Sequence, residues 1–205
     1  KKSLGQNFLI DWDVADSIVD FAKVSKKDTV LEVGPGKGAL TGIIASRAGK
    51  VIAVEIDPTL ARTVEKKVHA DNLTVLVNDM LRTDLAPLGE THGVKKWCIV
   101  GNLPYVISSR LTMRFVEQYE HIDRATIMVQ REVGERYLAD PGSRVYGLLS
   151  VLLQATGKLT RGFEVDPEAF KPKPKVKSLV LSWKPQPKAE LDLAPLVLTV
   201  KAAFA

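Results

Sequence analysis

The stretch Thr29 to Thr41, "TVLEVGPGKGALT", narrows what this chain can fold into more than any other. Its first five residues, mostly β-formers, read as a buried strand. Three glycines follow at alternate positions, Gly34, Gly36 and Gly38, and then a helical stretch from Ala39 to Ala48. Glycines between a strand and a helix let backbone approach a ligand closely and leave helix N–H groups free to face it. A second apolar run, Lys50 to Ile56, carries Glu55 near its end, 21 residues after Gly34. An acid at that place can accept hydrogen bonds from ribose hydroxyls. The spacing is G-x-G-x-G, not the G-x-G-x-x-G of dinucleotide enzymes. A nucleoside-containing cofactor is expected, held by Gly34, Gly36, Glu55 and the adjoining Ile56.

The same alternation continues along the chain. Val14, Ile18 and Phe21 recur at helical spacing and mark a leading amphipathic helix. Pro58 opens a helix running towards His69, as proline does at a first helical position. "LTVLV" (73–77), "WCIV" (97–100) and "ATIMVQ" (125–130) read as further strands, and Ile107, Leu111 and Phe115 as a helical face. Residues 159–165 and 176–183 read as two more strands, joined by a proline- and lysine-bearing loop. Strands apolar throughout and separated by helices predict a parallel sheet covered on both faces. The expected class is α/β: a doubly wound, mostly parallel, Rossmann-like sheet. Asp79, with Met80 beside it, follows the third strand and falls at the carboxyl edge where such sheets bind ligands. It can accept from a cofactor adenine amine, or simply begin a turn.

Charge narrows the partner. The net charge is +5, and residues 158–188 hold eight Lys/Arg against three Asp/Glu, which accounts for all of it. "FKPKPKVKS" (170–178) places a lysine at every second position from Lys171 to Lys177. A clustered basic surface on an otherwise balanced chain suggests a polyanion, while lysines and prolines also protect sheet edges. Lys171, Lys173, Lys175, Lys177, Arg110, Arg131 and Arg144 are the candidate phosphate contacts, and affinity carried by them falls steeply with salt. The single cysteine, Cys98, lies in an apolar run and reads as a buried structural thiol. His69, His92 and His121 lack ligand spacing, so no metal is expected. No apolar run reaches the ~18 residues of a membrane span, and no membrane partner is expected.

"GNLPY" (101–105) follows the fourth strand and therefore reaches the same sheet edge. Alone it is compatible with a plain turn. Beside a cofactor it suits transfer of a methyl group from a sulfonium to an exocyclic amine of a nucleobase. That nitrogen is a poor nucleophile because its lone pair is delocalised into the ring. Acceptors on its N–H groups localise the lone pair and hold the nitrogen in line. Asn102 can offer its amide oxygen and Leu103 its backbone carbonyl. Pro104 stiffens the turn, and Tyr105 offers a ring face for stacking, worth roughly 1–3 kcal/mol.

"GQNFL", "EVGPGKGALT", "VEID", "ND", "GNLPY" and "AFKPKPKVKS", in this order, resemble the ribosomal RNA adenine N6,N6-dimethyltransferase family. "PGSRVYGLLSV" (141–151) is closer to the branch acting on small-subunit RNA than to the macrolide-resistance branch acting on large-subunit RNA. The resemblance covers essentially the whole chain. It implies the class I methyltransferase fold, S-adenosylmethionine as cofactor, and dimethylation of two adjacent adenosines near the 3′ end of small-subunit RNA in an immature particle. It further implies that Asn7 and Leu9 close over the methionine end of the cofactor, and that Gly34 and its neighbours approach the methionine portion. Glu55 would hold the ribose, Asp79 the cofactor adenine, and Asn102 with Leu103 the target amine. Tyr105 would face one side of the target base and Phe170 the other; from the residues alone Phe170 reads as a core or loop anchor. The target adenine must leave its stack to enter such a site.

The family adds a small helical domain at the carboxyl end. Residues 1–188 are expected to form the catalytic domain, and 189–205 a linker and the start of that helical part, the whole being a segment of a longer protein. The alternative is a short terminal helix that docks on the domain. A cytoplasmic monomer is expected, nucleolar or organellar in a eukaryote. Two rivals stand: a dinucleotide-dependent oxidoreductase, and a non-catalytic RNA-binding assembly factor of the same fold.

Overall fold

The computed structural model describes residues 6–186 and 192–204. A seven-stranded sheet forms the centre. Five strands are parallel: β2 (Thr29–Val33), β3 (Lys50–Glu55), β4 (Leu73–Val77), β5 (Trp97–Asn102) and β6 (Ile122–Gln130). Two more complete the sheet: β9 (Ser178–Pro185) runs antiparallel to β6, and β7 (Gly157–Val165) runs antiparallel to β9 and so in the same direction as the first five. The order is β4-β3-β2-β5-β6-β9-β7. The chain therefore winds outward from β2 through β3 to β4, then returns to β5 on the other side. This reversal opens a crevice at the carboxyl ends of β2 and β5, where open α/β sheets bind ligands.

Helices cover both faces: α1 (Trp12–Phe21), α2 (Thr41–Arg47), α3 (Pro58–Lys67), α4 (Leu85–His92), α5 (Ser108–Glu117), α6 (Arg131–Leu138), α7 (Leu148–Thr156) and α8 (Leu193–Ala203). One apolar cluster holds Trp97, Phe115, Tyr137 and Trp183; the other holds Ile18, Ile44, Val51, Met128 and Phe170. Both buried indoles donate to main-chain carbonyls, Trp97 to Leu85 and Trp183 to Leu153, each at 3.1 Å. These bonds remove the cost of burying a polar N–H. Local chemistry sets the helix starts. Asp11 caps α1 by accepting from the N–H groups of Asp13 and Val14, and Asp57 caps α3 while Pro58 takes its first position.

The expected α/β class and strand succession match this architecture. Three helices, α4, α6 and α7, have no counterpart among the expected elements. The α7 run "LLSVLLQAT" is apolar almost throughout, so no face period distinguishes it from a strand. A proline and a glycine interrupt α4, and the eight residues of α6 offer only Val133, Tyr137 and Leu138 as large apolar side chains. A two-stranded sheet is also added: β1 (Phe8–Leu9) pairs antiparallel with β8 (Phe170–Lys171), placing Leu9 opposite Phe170. Strands of two residues carry no readable pattern.

The β5 strand runs two residues further than its apolar core, so Asn102 is its last residue and not part of the turn. Gly101 permits this: a Cβ there would lie 2.9 Å from the Val33 carbonyl oxygen on β2. The α8 helix packs on α7, and its Val200 belongs to the larger core cluster. The expected division after residue 188 falls within residues 187–191, outside the described residues.

Candidate functional site

A cavity of about 290 Å³ occupies the crevice. Its walls come from the carboxyl ends of four parallel strands and from the segment that includes β1. The first strand end contributes Gly34 and Gly36, the second Glu55 and Ile56, the third Asp79 and Met80, and the fourth Asn102 to Tyr105. Asn7 and Leu9 close one side, and Ile107 and Arg110 of the α5 approach stand at another. All the expected site residues except Phe170 thus line one cavity.

The glycine loop is built to stay open. Gly34 and Gly36 have φ of +65° and +58°, a region that costs side-chain-bearing residues strain. A Cβ at Gly34 would meet no atom within 4 Å, whereas one at Gly36 would press on the Phe8 ring at 3.2 Å. Phe8 therefore lies directly on the loop, and the Lys37 ammonium sits 4.6 Å from its ring centroid. Glu55, 3% exposed, ties the loop to its strand. One carboxylate oxygen accepts from the Gly36 N–H and the other from the Asp57 N–H, both at 3.0 Å. Each oxygen keeps a second lone pair.

Asp79 begins a turn and also lies at the cavity. Its Oδ1 accepts from the Leu81 N–H at 2.9 Å, as a turn residue does, and its side chain also lines the cavity. Its Oδ2 has only a loose ion pair with Arg82, at 3.7 Å. At the fourth strand end, the Asn102 amide nitrogen donates to the Asn7 carbonyl at 3.2 Å. That bond spans 95 residues and leaves the amide oxygen as the group able to accept. Leu103 is anchored by its N–H to the Met128 carbonyl at 3.0 Å. The Tyr105 hydroxyl lies 2.6 Å from the Ser178 Oγ. Burial raises the pKa of that phenol above its ordinary value, against a smaller opposing effect of the Ser178 bond, so it stays protonated at neutral pH.

Phe170 is placed differently from the stacking role. Its side chain is 3% exposed, within the core cluster shared with α1 and α2, and it does not line the cavity. Pairing with Leu9 brings its backbone near the site. The ring itself acts as the anchor that the residues alone suggested.

The lysine run is partly neutralised. Lys173 pairs with Glu168, Lys177 with Asp166 at 2.9 Å and more loosely with Glu164, and Arg131 with Glu164 at 3.9 Å. Among the described residues, Lys171, Lys175 and Arg144 make no such pair, and Arg110 stands at the cavity. Cys98 is buried and its thiol is pushed up to about 12 by desolvation, which makes it unreactive as a nucleophile. Among the described residues no group of three potential ligands could hold a metal, and no helix is long and apolar enough to cross a membrane.

One residue of the glycine motif was not singled out from sequence. Glu32, in the middle of the apolar "TVLEV", is 1% exposed and its Oε2 has no hydrogen-bond partner. Desolvation pushes its carboxyl up to about 8; the buried Thr41 hydroxyl opposes the shift and the Glu55 charge adds to it. The folded state therefore holds this proton more tightly than the unfolded chain, whose value is near 4.5. The associated stability is fully present below the lower value and is lost as pH rises through the upper one. Replacing Glu32 by Gln is expected to flatten stability between about pH 5 and 8 and to stabilise the protein at pH 8, by on the order of a few kcal/mol. Denaturant unfolding of both forms at several pH values checks this; parallel stability profiles would refute it.

Comparison with known proteins identifies relatives over the whole chain. The family model described as ribosomal RNA adenine dimethylase matches residues 1–204. The ribosomal RNA small subunit methyltransferase A of Acidobacterium capsulatum is 43% identical over 184 residues, which are 89% of this chain and 64% of that protein. The chain thus spans less than two thirds of that relative's length. Among solved structures, a dimethyladenosine transferase from Plasmodium falciparum superimposes with a TM-score of 0.77 at 31% identity, over 87% of this chain and 63% of its own. The 23S rRNA methyltransferase ErmE superimposes with a TM-score of 0.79 at 30% identity, over 95% of this chain and 76% of its own.

Proposed function

This chain belongs to the ribosomal RNA adenine dimethylase family, and from that premise we propose that it carries the catalytic part of an S-adenosylmethionine-dependent rRNA adenine N6,N6-dimethyltransferase. The substrate is small-subunit ribosomal RNA within an immature particle, and the targets are two adjacent adenosines near its 3′ end. The small-subunit branch is supported by the Acidobacterium relative's name and by the run at residues 141–151. The protein acts as a monomer in the cytoplasm, with residues 1–188 as catalytic domain and 189–205 leading into a helical part. The observation that carries the reading is the Asn102 amide, fixed through Asn7 at the edge of a cavity that also holds a glycine cradle and two strand-end carboxylates.

The donor set fits the cofactor. Open space above Gly34 accepts a ligand in van der Waals contact with backbone. Glu55 keeps lone pairs for vicinal hydroxyls, and Asp79 Oδ2 can accept from an adenine amine, with Ile56 and Met80 as apolar walls beside them. When bound, S-adenosylmethionine supplies an electrophilic methyl group on a sulfonium. The residues of this chain do the rest. In the first transfer the Asn102 oxygen and the Leu103 carbonyl accept from the two N–H groups of the target amine, drawing its lone pair out of the ring and aiming it at the methyl. In the second, one of them accepts from the single N–H that the methylated amine keeps. Tyr105 supports the base from one face. Placement of this kind contributes several kcal/mol through proximity without any ionised side chain. No carboxylate base is needed, because the amine that has gained a methyl group is strongly acidic and gives up its proton to solvent.

Calorimetric titration of this chain separates the reading from an oxidoreductase. S-adenosylmethionine or S-adenosylhomocysteine is expected to bind and NAD to give no heat; the reverse pattern would overturn the proposal.

A further inference from the structure

A buried side chain outside the cavity touches Tyr105, which with Phe8 is one of two aromatic residues that line it among the described residues. Ser178 is the first residue of β9 and is completely buried. Its backbone is gripped on both sides, opposite Gln130 on β6 and Val165 on β7, and the preceding carbonyl, that of Lys177, accepts from the Arg131 N–H at 2.9 Å. The 2.6 Å contact from its Oγ to the Tyr105 hydroxyl crosses 73 residues of sequence.

Tyr105 needs such an anchor. It stands in the turn between β5 and α5, is only part-buried, and is followed by Val106, which is 68% exposed. A ring that swung about χ1 would offer its edge, not its face, to whatever occupies the cavity. A hydrogen bond at the far end of the phenol fixes both the tilt and the depth of the ring.

We propose that Ser178 is the positioning residue for Tyr105, holding the ring at the angle at which it supports the target base. The inference rests on the reading of Tyr105 as the base-facing ring. Ser178 touches neither substrate nor cofactor and acts only through Tyr105. It also closes the lysine-bearing segment from Lys171 to Lys177, so the segment suited to RNA and the ring suited to the base share one fixed point.

The experiment is a double-mutant cycle on the full-length enzyme with immature small-subunit particles, reading kcat, KM for the particle and calorimetric affinity for S-adenosylhomocysteine. S178A is expected to lower kcat on the order of tenfold, the scale of one neutral hydrogen bond, with little change in KM or cofactor affinity. S178T restores most of the loss. Y105F removes the same bond from the cavity side without touching the sheet, and is expected to match S178A. The double variant is expected to be no slower than either single one. Unchanged kcat in S178A and Y105F, or losses that multiply in the double variant, would overturn the proposal. If S178A is poorly folded, Y105F and S178T alone decide: full activity in Y105F contradicts the inference. Y105A serves as the control on the premise. A Y105A enzyme crippled beside an unaffected S178A defeats the role of Ser178 only; an active Y105A defeats the base-facing reading itself.

Discussion

Asn102→Ala is expected to lower the rate of methyl transfer by roughly 10²–10³-fold, the scale seen when one preorganised hydrogen-bonding group is removed from a transition state. The effect is large because the amide does two things at once. Its nitrogen is committed to the Asn7 carbonyl, so its oxygen is held in place before the substrate arrives and pays no reorientation cost during reaction. Alanine removes the acceptor and also releases the segment carrying Asn7, Phe8 and Leu9 from the end of β5. Cofactor affinity is expected to change far less, within about fivefold, since Glu55 and the glycine loop stay intact. Single-turnover transfer of a labelled methyl group, with calorimetry on the same variant, measures both. Undiminished turnover would remove Asn102 from the proposed chemistry.

Glu55→Ala reverses that pattern. The carboxylate accepts the Gly36 and Asp57 N–H groups and lines the cavity, so its loss unpins the loop and would also remove the proposed ribose contact. Hydrogen bonds to a charged acceptor contribute about 1.5–3 kcal/mol each. Affinity for S-adenosylhomocysteine is therefore expected to fall by two orders of magnitude or more, and the loss should persist in high salt because the group is buried. A dissociation constant within a few-fold of the parent's would contradict the assignment.

What the sequence reveals here follows from the physics of each element. Parallel strands buried on both faces leave unbroken apolar runs, and a glycine loop between strand and helix has few other uses, so β2 to β6 and the cavity edge are legible directly. Knowing that these loops share one sheet edge is enough to gather Gly34, Glu55, Asp79 and Asn102. Pairings between distant residues are not legible. The β1–β8 ladder, the Asn102–Asn7 bond and the Tyr105–Ser178 contact join parts of the chain that no local pattern links.

Burial is hidden in the same way. The burial of Glu32 shows only once the sheet closes over it, and Phe170 reads from the residues alone as an anchor and as a stacking ring only through the family resemblance. The ion pairs of the lysine run have a visible signal in the sequence. Glu164, Asp166 and Glu168 alternate just before Lys171 to Lys177, and a chain that doubles back between β7 and β9 must bring the two series together. The surplus positive charge is consequently carried by fewer side chains than the count suggests.

The most direct test of the central claim supplies full-length protein, immature small-subunit particles and labelled S-adenosylmethionine, and then maps the modified nucleosides. The account predicts N6,N6-dimethyladenosine at two adjacent adenosines near the 3′ end of the small-subunit RNA, absent with the Asn102→Ala variant. Label found only on another base, on another ribosomal RNA or on protein would contradict it.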